Sequence, residues 1–137
     1  MVADGIGLRG DRAALARERG VSEEALLLDP GLDLAKTPAQ SIELLRRLAE
    51  LDALGRPLLL AVSRKDFVGA LTGRVPAERD AGTLAALEPA LEVAGAVVRV
   101  HDVAGALDFL RVRSALRGDA EPAPGPLPEA LRREVPA

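Results

Sequence analysis

Three short apolar runs alternate with helical segments, and this alternation most restricts how the chain can fold. The runs are ALLL at 25–28, PLLLAV at 57–62 and AVVRVHDV at 96–103. None of them alternates strictly between apolar and polar residues, which is typical of strands covered on both faces of a parallel sheet. The sequence therefore predicts a β-α-β-α-β-α order and an α/β fold with parallel strands.

The helices between these runs have recognisable ends. Thr37 fits an N-cap and Pro38 the first helical position, so residues 38–54 are predicted to form one helix. The next helix is predicted to begin near Asp66 and to stop at Gly73. Pro89 is predicted to kink or split the helix that follows.

The last part of the chain differs in composition. A closing amphipathic helix is predicted at 104–117. The segment at 119–137 is rich in proline, and it is predicted to be a tail with one short helical patch.

The composition excludes several kinds of site. The chain of 137 residues has no cysteine and one histidine, which excludes a disulfide framework, a thiol nucleophile and a cysteine-based zinc site, and makes any metal site unexpected. A net charge of −3 and the absence of Trp and Tyr argue against nucleic-acid binding. No signal peptide is visible, and no segment approaches the ~20 apolar residues that span a bilayer. We expect a cytoplasmic protein.

Polar residues follow each of the three apolar runs. Asp29 follows the first run, the triplet 63–65 (Ser-Arg-Lys) follows the second, and Arg99, His101 and Asp102 close the third. The carboxyl ends of parallel strands lie at one edge of the sheet, where α/β folds place their sites. We therefore expect these side chains to converge.

The residue types indicate the kind of ligand. The Asp29 carboxylate can accept paired hydrogen bonds from a planar N–H edge, and Lys65 can donate to a ring atom. Arg99 matches phosphate oxygens bidentately and His101 adds a donor, so the two can hold a diphosphate. The set predicts a pocket for a polar heterocycle that bears an anionic group.

Each of these residues also has a structural interpretation. Asp29 in Asp-Pro-Gly can be a turn former, and Arg64 with Lys65 can be a solvated helix start. Arg99 can form an internal salt bridge with Asp102 or Asp29. His101 taken alone is more often structural than catalytic.

Three longer motifs resemble one known family. They are LLLDPGLDLAKTPAQSIELLRRL, LLLAVSRKDFVGALTG and GTLAALEPALEVAGAVVRVHDV. In order and spacing they are similar to the C-terminal half of dihydropteroate synthase, from about Gly20 to Arg117. The combination of SRK-x-F-[IV]-G with RVHDV favours this family over related pterin-binding barrels that transfer a methyl group from a methylated folate.

The resemblance implies a (β/α)8 TIM barrel, of which residues 1–118 would form about the last three βα units. It implies a transferase of folate biosynthesis that condenses a dihydropterin-methyl diphosphate with p-aminobenzoate. Diphosphate is released in this reaction with the assistance of Mg²⁺.

The resemblance also implies roles for individual residues. Asp29 would bind the amino-pyrimidine edge of the pterin, and Ser63 would lie beside the aminobenzoate pocket. Lys65 would contact the pterin ring, while Arg99 and His101 would hold the diphosphate. Lys65, Arg99 and His101 are the expected catalytic residues, because the leaving group needs its charge neutralised as the C–O bond breaks.

The length departs from the family pattern. A complete barrel needs about 250 residues, and the family's Mg²⁺-contacting asparagine lies in an N-terminal half that has no match here. We expect a truncated product that is inactive or weak alone; the alternative is a non-catalytic pterin-binding or regulatory subunit, or a degenerate fragment. Two open sheet edges predict self-association, as a homodimer for example, or a partly molten state.

The loop after Asp-Pro-Gly also departs from the family pattern, which reads DPGIGFGKT where this chain reads DPGLDLAKT. Two glycines are replaced by Asp33 and Ala35, and the phenylalanine that packs on aminobenzoate is replaced by Leu34. Asp33 would place a negative charge near an anionic substrate, which counts against the use of aminobenzoate.

Overall fold

The computed structural model of the protein describes residues 2–133. The chain divides into two compact units, at residues 1–106 and 107–137. This division lies inside a helix, whereas the domain boundary predicted from composition lies at residue 118. That domain boundary stays a prediction.

The first unit alternates helices with short parallel segments. Its elements are α1 (Val2–Glu18), a 3-10 turn at Glu23–Ala25, α2 (Pro38–Arg46), α3 (Leu48–Asp52), β1 (Leu59–Leu60), α4 (Asp66–Thr72), a 3-10 turn at Pro76–Glu78, α5 (Asp80–Ala86), α6 (Glu88–Leu91) and β2 (Val97–Val98). The helix α7 (Val103–Leu116) begins in this unit and continues into the second one.

The parallel arrangement predicted from the sequence is confirmed. Leu59 pairs with Val97 in a parallel ladder between β1 and β2. Leu28 forms a parallel bridge to Leu58, and its carbonyl accepts a hydrogen bond of 2.9 Å from the backbone N–H of Leu59. The fold is therefore α/β with parallel pairing, although the first predicted strand is reduced to a single bridge.

The two faces of the paired segments differ in burial. Leu58, Leu60 and Val62 alternate along the chain and are 0% exposed. Val97 is 45% exposed, and Leu59 is only half-buried. The prediction that all three strands are covered on both faces is therefore wrong for β2, where the described residues leave the side chain of Val97 uncovered.

The helix predicted at 38–54 is interrupted. It begins as predicted, with a capping box in which Gln40 N–H donates to Thr37 Oγ1 and Thr37 N–H donates to Gln40 Oε1. It stops at Arg46, since Arg47 leaves helical geometry with φ −113° and ψ 23°, and α3 follows. The expectation of one continuous helix is wrong.

Two other predictions about helix ends are confirmed. The helix α4 begins at Asp66 and ends before Gly73, whose φ of 69° is the left-handed conformation that glycine favours. The helical segment around Pro89 is split into α5 and α6. Proline takes the start of α6, where its missing N–H costs no hydrogen bond.

The core of the first unit lies between the helices and the covered face of the paired segments. Its most buried large side chains belong to Leu44, Leu48, Leu51, Leu58, Leu60, Val62 and Leu87.

The second unit has little apolar burial. Of the residues in α7 only Ala106 is buried, while Val112 and Leu116 are 61% and 83% exposed. The short helical patch predicted in the tail is a 3-10 turn at Glu129–Leu131. Within residues 2–133, no helix combines the length and apolar character that crossing a membrane requires.

Candidate functional site

The ends of β1 and β2 lead to one cavity. The cavity has a volume of about 370 Å³, and its wall is made by Ala61, Ser63, Lys65, Arg99, Val100 and His101. Four of the five residues predicted to form a binding site are therefore brought together. Parallel pairing explains this, because adjacent strands that run in the same direction end side by side.

Ser63 and His101 join the ends of the two strands. The Ser63 hydroxyl is 2.8 Å from His101 Nδ1, and it also accepts a hydrogen bond of 3.2 Å from the His101 backbone N–H. Ser63 is buried, whereas the imidazole is exposed. This contact fixes the ring through Nδ1 and leaves Nε2 as the nitrogen that can meet a ligand.

Arg99 presents an uncompensated positive charge. Its side chain is exposed and lines the cavity. Among residues 2–133 it forms no salt bridge, so the internal pair with Asp102 or Asp29 does not occur there. Asp102 instead accepts a hydrogen bond of 2.9 Å from the backbone N–H of Gly105, at the start of α7. The Arg99 guanidinium is thus available for an anion.

Lys65 connects the cavity to the loop that follows Leu28. The residue precedes the first residue of α4, and its Nζ donates a hydrogen bond of 3.0 Å to the backbone carbonyl of Leu32. The ammonium group lies at the wall shared by the cavity and this loop.

Asp29 stands apart from the cavity. It follows Leu28 and is exposed, and one of its carboxylate oxygens accepts a hydrogen bond of 2.7 Å from the backbone N–H of Gly31. The turn-forming role is therefore confirmed. The second carboxylate oxygen has no partner in the described part of the chain, and binding of a heterocycle by Asp29 stays a prediction.

Arg64 has a role that sequence reasoning did not predict. Its φ of 58° is left-handed, and its guanidinium pairs with both carboxylate oxygens of Asp80 at 2.8 and 2.9 Å. These hydrogen bonds hold the pKa of Asp80 below its ordinary value and raise the pKa of Arg64. Arg64 thus lies just before α4 and is partly exposed, as interpreted from the sequence, but it is also paired with Asp80.

Two further side chains fix the turn at 63–66. The Arg64 backbone N–H donates to Thr83 Oγ1 at 2.9 Å, and Thr83 is buried. Arg79 donates to the carbonyls of Arg64 and Lys65 at 2.9 and 3.2 Å. A methyl group at Gly69 would overlap the Arg79 guanidinium, which explains a glycine there. The only feature of the sequence that could have indicated these contacts is the connection at 74–80, which contains residues of both charges.

Three cations hold the loop at residues 29–37, which we call the DPG loop. Arg9 donates to the carbonyls of Asp29 and Pro30. Lys36 Nζ donates to the carbonyl of Gly31 at 2.8 Å, beside the contact that Lys65 makes. Burial and the neighbouring charge of Arg9 lower the pKa of Lys36.

Both carboxylate oxygens of Asp33 accept hydrogen bonds from neighbouring groups. One carboxylate oxygen accepts a hydrogen bond of 3.1 Å from Ser41 Oγ, and the other accepts one of 2.6 Å from the backbone N–H of Asp66. The carboxylate is therefore engaged at the start of α4, where backbone N–H groups favour a negative charge.

A comparison with protein families bears on this geometry. A family model described as pterin binding enzyme matches residues 7–101. The chain belongs to this family. Among curated members, the dihydropteroate synthase of Synechocystis sp. is 46% identical over 103 residues, which cover 74% of this chain and 36% of that protein. The Escherichia coli K12 enzyme is 37% identical over 105 residues, which cover 77% of this chain and 37% of that protein. The resemblance to dihydropteroate synthase is confirmed.

Solved structures of the family superpose well on this chain. Dihydropteroate synthase from Xanthomonas albilineans in complex with 7,8-dihydropteroate gives a TM-score of 0.80 at 38% identity, over 85% of this chain and 45% of that one. The enzyme from Stenotrophomonas maltophilia with imidazole bound in its active site gives a TM-score of 0.81 at 38% identity, over 89% of this chain and 46% of that one. The chain thus spans less than half the length of these family members.

Proposed function

We propose that this chain forms the wall of a dihydropteroate synthase-type site that contacts diphosphate and pterin. In this proposal the three parallel segments are the last three βα units of a (β/α)8 barrel. The observation that carries the proposal is the Arg99 guanidinium, which has no salt-bridge partner among residues 2–133 and shares one cavity with His101 and Lys65.

The cavity has the chemistry for an anionic group. A guanidinium presents donors in a planar fork that matches two phosphate oxygens. His101 adds Nε2, since Nδ1 is engaged by Ser63. Among the residues that the structure describes, no carboxylate lines this cavity, so an anion placed between Arg99 and His101 meets no like charge from them on the wall.

The ligand class follows from the relatives. The Xanthomonas albilineans enzyme has been solved with 7,8-dihydropteroate and with 4-aminobenzoic acid. We assign a dihydropterin-methyl diphosphate and p-aminobenzoate to this chain. The cavity volume of about 370 Å³ lies within the range usual for small-molecule sites. The free carboxylate oxygen of Asp29 would accept from the amino-pyrimidine edge.

The proposed reaction needs no covalent intermediate with the protein. The amine of p-aminobenzoate attacks the methylene carbon of the pterin, the C–O bond breaks, diphosphate leaves with the bonding electrons, and the amine nitrogen releases one proton to water. Arg99, His101 and Lys65 would stabilise the negative charge that develops on the leaving group. We expect weak or no turnover from this chain alone, because it spans 36% of the Synechocystis relative.

Mg²⁺ is an expectation from the resemblance only. Within residues 2–133, no three His, Cys, Asp or Glu side chains come together as a metal site. Mg²⁺ therefore stays a prediction, and the proposed steps use only the cations of this chain.

A second candidate is a non-catalytic pterin-binding or regulatory subunit. The DPG loop favours this candidate. The family has a phenylalanine there that packs on aminobenzoate, whereas this chain has Leu34, whose side chain is 66% exposed. A cytoplasmic location and self-association of the chain stay predictions under either function.

Calorimetry with inorganic diphosphate tests the proposal. The unaltered chain should bind diphosphate, and Arg99→Ala should weaken the affinity by about tenfold to a hundredfold, which corresponds to the loss of a charge-assisted bidentate contact. Arg46→Ala is the matched control. Arg46 is exposed at the last residue of α2, about 12 Å along the helix from the end that faces the site.

Three results would contradict parts of the proposal. No diphosphate binding, or equal affinities for Arg99→Ala and the unaltered chain, would overturn the assignment of the cavity. Turnover of dihydropterin diphosphate and aminobenzoate at ordinary enzymatic rates would refute weak activity. Binding of a pterin without turnover is expected of both candidate functions, since weak or no turnover is expected from this chain alone.

A further inference from the structure

Asp33 adopts a backbone conformation that its residue type disfavours. Its φ of 63° lies in the left-handed region, which glycine adopts without a steric cost. A side chain at such a position is expected to have compensating contacts. The carboxylate of Asp33 supplies them.

The first contact closes the DPG loop on α2. Ser41 is 0% exposed, and its hydroxyl donates to Asp33 Oδ1 at 3.1 Å. The same hydroxyl accepts from the backbone N–H of Asp33 at 3.1 Å. Ser41 therefore satisfies both the side chain and the backbone of Asp33, which holds the left-handed residue in place.

The second contact joins the DPG loop to the cavity wall. Asp33 Oδ2 accepts from the backbone N–H of Asp66 at 2.6 Å, and Lys65 Nζ donates to the carbonyl of Leu32 at 3.0 Å. Two consecutive residues of the loop are thus tied to two consecutive residues at the start of α4. A pair of adjacent links restricts rotation of the Lys65 turn more than one link would.

We infer that Asp33 is a positioning residue that fixes the DPG loop to the start of α4 and so orients Lys65 at the cavity. The inference rests on the proposed function, in which Lys65 contacts the pterin. The expectation that Asp33 counts against an anionic substrate stays a prediction, since the two groups that donate to its carboxylate are neutral.

Two substitutions separate positioning from simple stability. Asp33→Gly relieves the left-handed backbone but removes both links. These effects oppose each other, so the stability should change little. Asp33→Asn keeps one amide oxygen that can accept from Asp66 N–H, so it should restore part of the function.

The experiment combines hydrogen exchange with binding, on the full chain. In Asp33→Gly, exchange of the Asp66 amide should accelerate about tenfold, and the affinity for 7,8-dihydropteroate should fall about tenfold. The affinity for inorganic diphosphate should fall less, by no more than about threefold, because Lys65 is the one of its three proposed cations that the described hydrogen bonds tie to the loop. Asp33→Asn should lie between Asp33→Gly and the unaltered chain.

Asp52→Asn is the matched control. It removes the same charge from α3, where no side-chain partner of Asp52 is described, and it should change neither measurement. Unaltered Asp66 exchange and unaltered dihydropteroate affinity in Asp33→Gly would overturn the inference. Faster Asp66 exchange in Asp33→Gly, together with no dihydropteroate binding by the unaltered chain, would support the link and overturn the proposed function.

Discussion

The DPG loop and the turn at 63–66 both follow parallel segments, but they are held in different ways. The turn is held by Arg79, which directly precedes α5, and by Asp80 and Thr83, which lie in α5. The DPG loop is held by cations on its carbonyl groups and by Asp33 within it. Both are held in part by residues outside them, but the loop depends in addition on two of its own side chains, Asp33 and Lys36, whereas the turn contributes one, Arg64.

The residues with a left-handed backbone differ in whether their side chains make compensating hydrogen bonds. Arg64 and Asp33, with φ of 58° and 63°, each have a side chain engaged by two hydrogen bonds. Ala35, with φ of 50°, has a methyl group that can make none. The same backbone conformation is therefore compensated at two positions and uncompensated at the third.

Arg79→Ala should have the largest effect on stability. The Arg79 side chain is 12% exposed, and it donates to the carbonyls of Arg64, Lys65 and Arg74. Its removal takes away these three hydrogen bonds from a largely buried side chain, so the free energy of unfolding should fall by about 2–4 kcal/mol, measured by urea titration.

Arg74→Ala is the control for this change. Arg74 is 63% exposed, and within the described part of the chain its side chain pairs only with Glu78, so the loss should stay below about 0.5 kcal/mol. Equal stabilities of the Arg79→Ala and Arg74→Ala chains would show that the turn is not held from outside.

Asp80→Asn should have a smaller effect, and one that depends on pH. Pairing with Arg64 holds the pKa of Asp80 below its ordinary value. The unfolded chain therefore binds the proton more readily than the folded chain, and the stabilisation is present above about pH 4 and lost as the pH falls below it.

The measurement is the urea midpoint between about pH 3 and pH 6. The unaltered chain should lose stability toward low pH more steeply than Asp80→Asn. Asp108→Asn serves as the comparison, since Asp108 pairs with Arg111 at a site 75% exposed. A pH profile of Asp80→Asn that parallels the unaltered chain would contradict the role assigned to the pair.

Ala35→Gly should have the smallest effect, and a stabilising one. Glycine accepts the left-handed backbone without a steric cost, and this gain exceeds the entropy that glycine adds to the unfolded chain. The free energy of unfolding should rise by about 0.5–1 kcal/mol, measured by thermal melting.

Ala13→Gly makes the same chemical change inside α1, where glycine should cost about 0.5–1 kcal/mol. Opposite signs for the two substitutions would confirm that the DPG loop carries strain at Ala35. A destabilising Ala35→Gly would show that it does not.

Local signals in the sequence predicted the helix ends well. Thr37 with Pro38, the glycine at 73 and the proline at 89 act on their own neighbours, and the structure follows them. The break at Arg47 had no such signal. The exposure of Val97 was also missed, because burial of a strand face depends on what packs against it and not on the apolar run itself.

The site was predicted where strand order alone decides the geometry. Ser63, Lys65, Arg99 and His101 meet because parallel strands end at one edge. The pairing of Arg64 with Asp80 spans 16 residues, and the contact from Asp66 to Asp33 spans 33. Such contacts depend on the tertiary placement of loops and helices, which the spacing of residue types does not specify.

The hydrogen bond between Ser63 and His101 places the His101 ring at the cavity, where its NMR signals can show whether a ligand is bound. His101 is the only histidine in the sequence, so the imidazole protons yield one set of resonances in a proton spectrum. A ligand that enters beside Arg99 changes the surroundings of this ring directly. Occupancy of the cavity can therefore be followed on the unlabelled, unmodified chain, even where no product is formed.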